Sequence, residues 1–252
     1  MHDIFNLNGH IALITGGGSG IGFGIAEQMI LVGARVVITG RVQDKLEIAK
    51  NKLGDNCFAF VSDVTEKEKH HDLILNIENH IGPISILVNN AGVHCKKPSI
   101  ETTDMEFQSV METNVNAVFA LTREVLKFMI PRKKGSVINI SSMSAIYGLP
   151  QVSAYSSSKS ALLGMTRTLA SEYSNKGIRF NSVAPGFIES EMFWDIMKKD
   201  PARKERILDR TPAGRFGTPA DIGRAVSFLA SDAADFITGI CLPVDGGNSI
   251  GF

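Results

Sequence analysis

Several absences narrow the reading of this chain before any motif is considered. No apolar run approaches the roughly 18–20 residues that a membrane-crossing helix needs, and residues 1–9 are too short and polar for a signal peptide. Charge of one sign is missing. The 26 Lys+Arg balance 26 Asp+Glu without a basic run, which argues against nucleic acid as the main partner. Cysteine is scarce: Cys57, Cys95 and Cys241 are odd in number and lack metal-type spacing. They read as reduced thiols of a cytoplasmic protein, and no metal is expected. Internal repeats and low-complexity linkers are also missing. What remains is 252 residues, 44% hydrophobic, long enough for one domain over 1–252 with a full core.

What is present in quantity is glycine, placed after a short apolar run. Residues 11–22 read IALITGGGSGIG. The apolar run into Thr15, followed by Gly16, Gly17, Gly18, Gly20 and Gly22, predicts a buried strand entering a tight turn. Ile21, Ile25, Ala26, Met29 and Ile30 then recur at helical spacing. A strand–turn–helix of this kind presents backbone N–H groups and a positive helix end to an anion. A nucleotide pyrophosphate is the natural occupant, with Gly16, Gly18, Ser19, Gly20, Ile21 and Gly22 as candidate contacts. The strict G-x-G-x-x-G pattern is absent, and the alternative is a turn that carries glycine for shape alone.

Strands and helices alternate along most of the chain. Further strands are predicted over 34–39, 57–61, 84–88, 136–140, 178–183 and 239–244, and helices over 43–53, 65–81, 103–130, 152–174 and 221–230. Thr65 is placed as an N-cap with Glu68 three residues on, and Pro131 stops the 103–130 helix. The alternation predicts an α/β fold, a doubly wound parallel seven-stranded sheet whose ligands sit at the C-terminal strand ends. Only 187–215 breaks the rhythm. Phe187, Met192, Phe193, Trp194 and Met197 mark it as a small helical substrate lid, or as a flap that packs on itself.

The predicted strand ends carry the chemistry. Strand two closes on Thr39-Gly40-Arg41 with no acid until Asp44. A carboxylate there would bind the ribose hydroxyls of NAD and repel a 2′-phosphate. Arg41 instead forks onto such a phosphate, favouring NADP over NAD; otherwise it is a solvated residue at a helix start. Asp63 either accepts from an adenine amino group or caps the next helix. Asn89 and Asn90 either stitch neighbouring loops or are plain turn residues. Tyr155 and Lys159, four apart in a helix, share a face. A phenolate at neutral pH needs a shift of about 3 units, and a lysine cation one turn away has the right sign. With the Ser142 hydroxyl holding a substrate oxygen, the set suits proton transfer to or from an alcohol during hydride transfer. A lone Tyr-x-x-x-Lys is more commonly a packed tyrosine beside a solvated lysine.

Thr15-Gly16-x-x-x-Gly20-Ile21-Gly22, Asp63-Val64, Asn89-Asn90-Ala91-Gly92, Asn114, Ser142, Tyr155-x-x-x-Lys159 and Pro185-Gly186 occur in that order. Together they resemble the short-chain dehydrogenase/reductase family over essentially the whole chain, to Asp245-Gly246-Gly247. The resemblance implies a Rossmann fold and an NADP-dependent oxidoreductase interconverting carbonyl and secondary alcohol. By it Tyr155 is the general acid/base, and Lys159 lowers its pKa and binds the nicotinamide ribose. Ser142 positions the substrate oxygen, and Asn114 supports a water near Lys159. Asp63, Val64, Asn90, Ala91, Gly92, Pro185, Gly186, Ile188 and Ser190 are carried over as cofactor contacts, Ser190 standing where threonine is frequent. Arg41 matches the NADP-type position.

The same resemblance implies a homotetramer and leaves the substrate open. Residues 183–192 and 212–247 look most like 3-oxoacyl-carrier reductases, although Ser171 replaces a basic carrier-docking residue before Glu172. The 95–98 region looks more like the gluconate and sugar-acid dehydrogenases. Lys96 and Lys97 either meet an anionic substrate or face solvent. His94 and Cys95 have no partners at ligand spacing. A catalytically silent nucleotide sensor or scaffold is the reading of another class, and the intact catalytic set stands against it.

Overall fold

The computed structural model describes residues 3–189, 193, 194, 198 and 201–251. Seven parallel strands form one sheet in the order β3-β2-β1-β4-β5-β6-β7. They are β1 (Ile11–Thr15), β2 (Arg35–Gly40), β3 (Cys57–Val61), β4 (Ile84–Asn89), β5 (Gly135–Ile140), β6 (Ile178–Pro185) and β7 (Cys241–Val244). The central strands read as continuous apolar runs because helices cover both faces. Every residue of β1 is buried.

One face packs α1 (Gly20–Leu31) and the helix Pro219–Ala230 against Ala12, Ile14, Ile38 and Val88. The other packs α3 (His70–His80) and two longer helices against Leu13, Val37, Leu87 and Val137. On the first of these faces α2 (Gln43–Leu53) also packs, through Leu46 and Ala49, next to β3 at the sheet edge. The strand order reverses between β1 and β4, and this reversal opens the crevice where a ligand sits. Gly24 of α1 faces the helix Pro219–Ala230 so closely that a Cβ there would overlap Pro219. Glycine is what lets the two helices meet.

Three expectations are corrected in detail. Thr65 does not cap a helix. Its N–H and hydroxyl both donate to Asp63 Oδ1, at 2.9 and 2.8 Å, so the chain makes a side-chain turn and α3 begins only at His70. The 103–130 helix is divided into α4 (Asp104–Met111), a wider π-type turn over Glu112–Asn116, and α5 (Ala117–Arg132). Its start carries a reciprocal cap between Thr103 and Glu106. Pro131 lies inside α5 rather than after it. The helix continues to Arg132, whose guanidinium holds both Glu78 oxygens and the Ile84 carbonyl, and the chain leaves at Lys133 with φ 51°.

Three helices complete the site's frame. α6 (Ser153–Tyr173) carries the Tyr-x-x-x-Lys pair. In the predicted lid, α7 (Pro201–Asp209) is helical, and α8 (Pro219–Ala230) follows behind a Thr218–Asp221 cap. Met192, Met197 and Ser190 lie outside the described residues.

Candidate active site

Thr15 ties the first loop to the fourth strand. Its hydroxyl accepts from the N–H groups of Asn90 and Ala91, both at 3.0 Å, and Asn90 Nδ2 donates to the Thr15 and Gly16 carbonyls at 2.9 and 3.1 Å. Asn89 Nδ2 donates to Thr122 and Asn139. Asn90 thus stitches the two loops, whereas Asn89 ties β4 to β5 and to α5. Gly16 takes φ 67°, and a Cβ on Gly22 would overlap the Gly16 carbonyl. The loop therefore folds tightly under the N-terminus of α1. Ser19 stands at the helix N-cap without a side-chain cap bond, so the first turn faces the cleft ready for an anion.

A cleft of about 540 Å³ runs from this turn past Arg41, Asp63 and Val64 to Asn90, Ala91 and Gly92, and Gly18 lines it too. Arg41 is exposed, with its guanidinium 4.0 Å from Asp63 Oδ2. The Thr65 N–H bonded to Asp63 holds that carboxyl below the ordinary carboxylate range, with Arg41 acting in the same direction. Asp63 thus pins its own loop through Oδ1 and faces Arg41 through Oδ2. A Cβ at Gly40 meets nothing closer than Leu46 at 3.5 Å, leaving the Arg41 side of the cleft open. The open helix end, the tight glycine turn and the exposed guanidinium fit a dinucleotide carrying a 2′-phosphate.

A second cavity of about 220 Å³ shares Asn90, Gly92 and Val93 with the first. Ile21, Ser142, Tyr155, Lys159, Pro185 and Gly186 line it. Ser142 Oγ accepts from the Ser144 N–H at 3.1 Å, which turns the loop after β5. Lys159, 4% exposed, donates from Nζ to the Ile140 carbonyl at 2.7 Å. Asn114 occupies the π-type turn, fully buried. It accepts from Val93 N–H and donates to the Val93 carbonyl and Ser158 Oγ, so helix α6 and the loop after β4 are joined through one amide. A Cβ at Gly92 would stand 3.0 Å from Asn114 Oδ1 and 3.5 Å from Lys159 Nζ, which places the three together. π-type turns concentrate at functional sites, and this one carries the asparagine there. Ile188 lies beside Gly217 in a short parallel bridge made through the Glu189 N–H and the Phe187 carbonyl.

The expectation that Lys159 lowers the Tyr155 pKa is corrected. Burial pushes the Tyr155 phenol up, and the Ser142 hydrogen bond offsets only part of that. Lys159 sits 5.7 Å from the Tyr155 ring centroid and is bonded to a carbonyl, and burial lowers its own pKa to about 8. Burial sets the direction for the phenol, and Lys159 contributes no lowering of its own.

His94 is the residue that sequence reasoning left aside. Its ring lies 4.4 Å from that of Tyr155, tilted by 36°, and it lines the second cavity. Burial, then Lys96, Arg203 and Lys159, lower its pKa. The imidazole is neutral in a field of cations. The available signal was its position two residues past Gly92 on a predicted rim loop. Lys97 is not free for substrate, because both Glu106 oxygens hold its ammonium at 3.0 and 3.1 Å. Among the described residues no three His, Cys, Asp or Glu side chains gather as a metal site. Of the lid's described aromatic residues, Phe193 and Trp194 pack edge-on against Phe216 at 4.7 and 5.8 Å, and Phe187 packs on the same Ile207–Phe216 cluster.

Fold and site define an oxidoreductase of the doubly wound, dinucleotide-dependent class. A short-chain dehydrogenase family model described as "Enoyl-(Acyl carrier protein) reductase" matches residues 16–249. The 3-oxoacyl-[acyl-carrier-protein] reductase of Rickettsia typhi is 40% identical over 244 residues, covering 97% of this chain and 98% of the relative. Gluconate 5-dehydrogenase of Gluconobacter oxydans is 36% identical over 251 residues, 98% of each chain. A crystal structure of a gluconate 5-dehydrogenase from Burkholderia cenocepacia, in complex with NADP and tartrate, superposes with TM-score 0.93 at 34% identity over 99% of both chains. The chain belongs to the short-chain dehydrogenase/reductase family, and its relatives act on carbonyl or CH–OH groups.

Proposed function

We propose that this protein is an NADP(H)-dependent oxidoreductase that interconverts the carbonyl and secondary alcohol of a small hydroxy or keto acid. The observation that carries the substrate class is His94 on Tyr155, with Lys96 and Arg203 near enough to act on the imidazole. An imidazole lining the cavity, with the charges of Lys96 and Arg203 acting on it, suits a carboxylate beside the reacting carbon. The lid's aromatic residues support a polar substrate, since they pack against Phe216 instead of lining the Tyr155 cavity. NADP is supported by Arg41, by the open Gly40 side and by the NADP in the Burkholderia relative. Bound, the nicotinamide supplies or takes the hydride.

In reduction, Tyr155 donates its hydroxyl proton to the substrate oxygen as the carbonyl carbon gains hydride, and Ser142 holds that oxygen. In oxidation the same phenolic oxygen takes the proton back. Lys159 would hold the nicotinamide ribose, and Asn114 would order a water path behind Lys159. The Ile188 backbone, beside Gly217, would meet the carboxamide. The catalytic domain spans 1–252, with 187–215 as its lid.

A 3-oxoacyl thioester is the second reading, favoured by the 40% identity to the Rickettsia reductase. NADPH consumption at ~340 nm, the reduced nicotinamide band, with 5-ketogluconate, acetoacetyl-CoA and simple ketones separates the two. Turnover of the keto acid supports the first reading, and turnover of the thioester alone replaces it.

A cytoplasmic homotetramer completes the proposal. A groove of about 380 Å³ between α5 and α6 is lined by Phe119, Leu126, Met165 and Tyr173, a partly apolar face suited to a second copy. Light scattering that returns a monomer mass of 27.3 kDa would remove that assignment. The three free thiols suit a reducing compartment.

A further inference from the structure

Three segments remote in sequence meet at one buried amide. Asn248, 1% exposed, follows β7. Its Oδ1 accepts from the Tyr147 hydroxyl at 2.6 Å, and its Nδ2 donates to Thr211 Oγ1 at 2.9 Å and more weakly to the Ile207 carbonyl at 3.4 Å. Its own carbonyl accepts from Arg210 Nε at 3.0 Å, and the Arg210 guanidinium lies 4.5 Å from the Tyr147 ring centroid. Met143 Sδ also lies 2.9 Å from the Tyr147 hydroxyl, but the carboxamide oxygen is the stronger acceptor for its single proton.

Each segment has a role in the site. Tyr147 belongs to the loop that starts at Ser142, since its N–H donates to the Met143 carbonyl and the Ser144 N–H donates to Ser142 Oγ. Ile207 lies in the last turn of α7, the lid helix whose Arg203 acts on His94, and Arg210 and Thr211 follow it directly. The turn after β7 is rigid, because Asp245 accepts from the N–H groups of Gly247 and Ser249. The Ala213 N–H donates to the Gly246 carbonyl and binds the lid's exit to the same turn.

We propose that Tyr147 and Asn248 are positioning residues that lock α7 to the Ser142 loop, so that the lid and the substrate-oxygen site hold one register. Neither side chain lines the Tyr155 cavity, so each acts through what it holds. This goes beyond the substrate assignment above, and it applies whatever acid, ketone or thioester the site takes.

The test uses Trp194, the chain's single tryptophan, which packs on Phe216 and has Lys204 of α7 at 5.4 Å from its ring. Tyr147→Phe removes one hydroxyl and keeps the ring under Arg210. Asn248→Asp keeps the acceptor for Tyr147 and removes the donor to Thr211. Acrylamide quenching of Trp194 in the full chain saturated with NADP is expected to strengthen by about twofold in both variants as the lid opens locally. The KM for any panel compound that turns over rises about fivefold, the loss of one hydrogen bond, while kcat and NADP affinity hold. Lys52→Ala, on the exposed side of α2 and outside the network, serves as the control. Quenching equal to the parent's in a folded Tyr147→Phe overturns the proposal, as does stronger quenching with an unchanged KM. Because quenching needs no substrate, failure of the substrate panel leaves this test standing.

Discussion

Lys159 donates its ammonium to the Ile140 carbonyl at 2.7 Å, and the pair lies buried directly behind Tyr155. The bond holds the cation at the base of the cavity, so the lysine anchors a position there more than it acidifies the phenol. Burial lowers the Lys159 pKa to about 8, against an ordinary 10.5.

That difference predicts a pH-dependent stability. Between pH ~8 and ~10.5 the unfolded chain binds the extra proton, so the Lys159 deficit is full below that window and fades as pH rises through it. Lys159→Met removes the titration and also abolishes turnover. Its stability relative to the parent should fall by about 2 kcal/mol from pH ~7.5 to ~9.5, measured by denaturant unfolding of both proteins. A difference that stays constant with pH would show that the lysine is not strained by burial.

Tyr155 predicts a directional activity profile. With the phenol pushed up by burial, it stays protonated through neutral pH and serves as the acid. Reduction should be level from pH ~6 to ~8, whereas oxidation should climb with a slope approaching one per pH unit. Tyr155→Phe should lower kcat by about 10²–10⁴-fold and leave NADPH affinity nearly unchanged by fluorescence titration. Undiminished turnover in that variant would move the proton donor elsewhere.

Gly40→Asp tests the cofactor assignment on a site with room for it, since a Cβ there meets only Leu46 at 3.5 Å. The new carboxylate repels a 2′-phosphate and competes for Arg41. The ratio of NADPH to NADH dissociation constants should shift toward NADH by about tenfold or more, equivalent to one or two charge-assisted hydrogen bonds. An unmoved ratio would take Arg41 out of cofactor selection.

Asn114→Ala strands the Val93 N–H and carbonyl and leaves the Ser158 hydroxyl only its bond to the Tyr155 carbonyl. Each buried group left unpaired costs about 1–3 kcal/mol, so thermal unfolding should drop by many degrees. Asn114→Asp keeps the acceptor for the Val93 N–H and should recover part of that loss. Equal melting of the two variants would mean that the amide's donor side alone matters.

Much of the architecture and half of the site were legible from residue order, for local reasons. An apolar run that ends on glycine specifies a buried strand entering a tight turn, and the alternation with 3.6-period helices specifies a parallel sheet. In a parallel sheet all strand ends of one sense share a rim, so Gly16, Arg41, Asp63, Asn90, Ser142 and Gly186 had to converge. Tyr155 and Lys159 share a helix face by their four-residue spacing. These statements depend only on neighbours in the chain.

What tertiary structure decided are distances between segments far apart in sequence, and the burial those distances create. Packing of α6 under the β5 carbonyl end made Lys159 a buried, carbonyl-bonded cation and raised the Tyr155 pKa, against the expectation from spacing alone. The loop after β4 brought His94 onto Tyr155 and turned Lys97 to Glu106, distinguishing two neighbours that look alike in the sequence. Asn114 found its three partners only where the helix widened into a π-type turn. Tyr147, Arg210 and Asn248 carry no local pattern at all, and their contact follows solely from three loops folding against one another. Desolvation and hydrogen-bond satisfaction are properties of the assembled interior, and no window of sequence contains them.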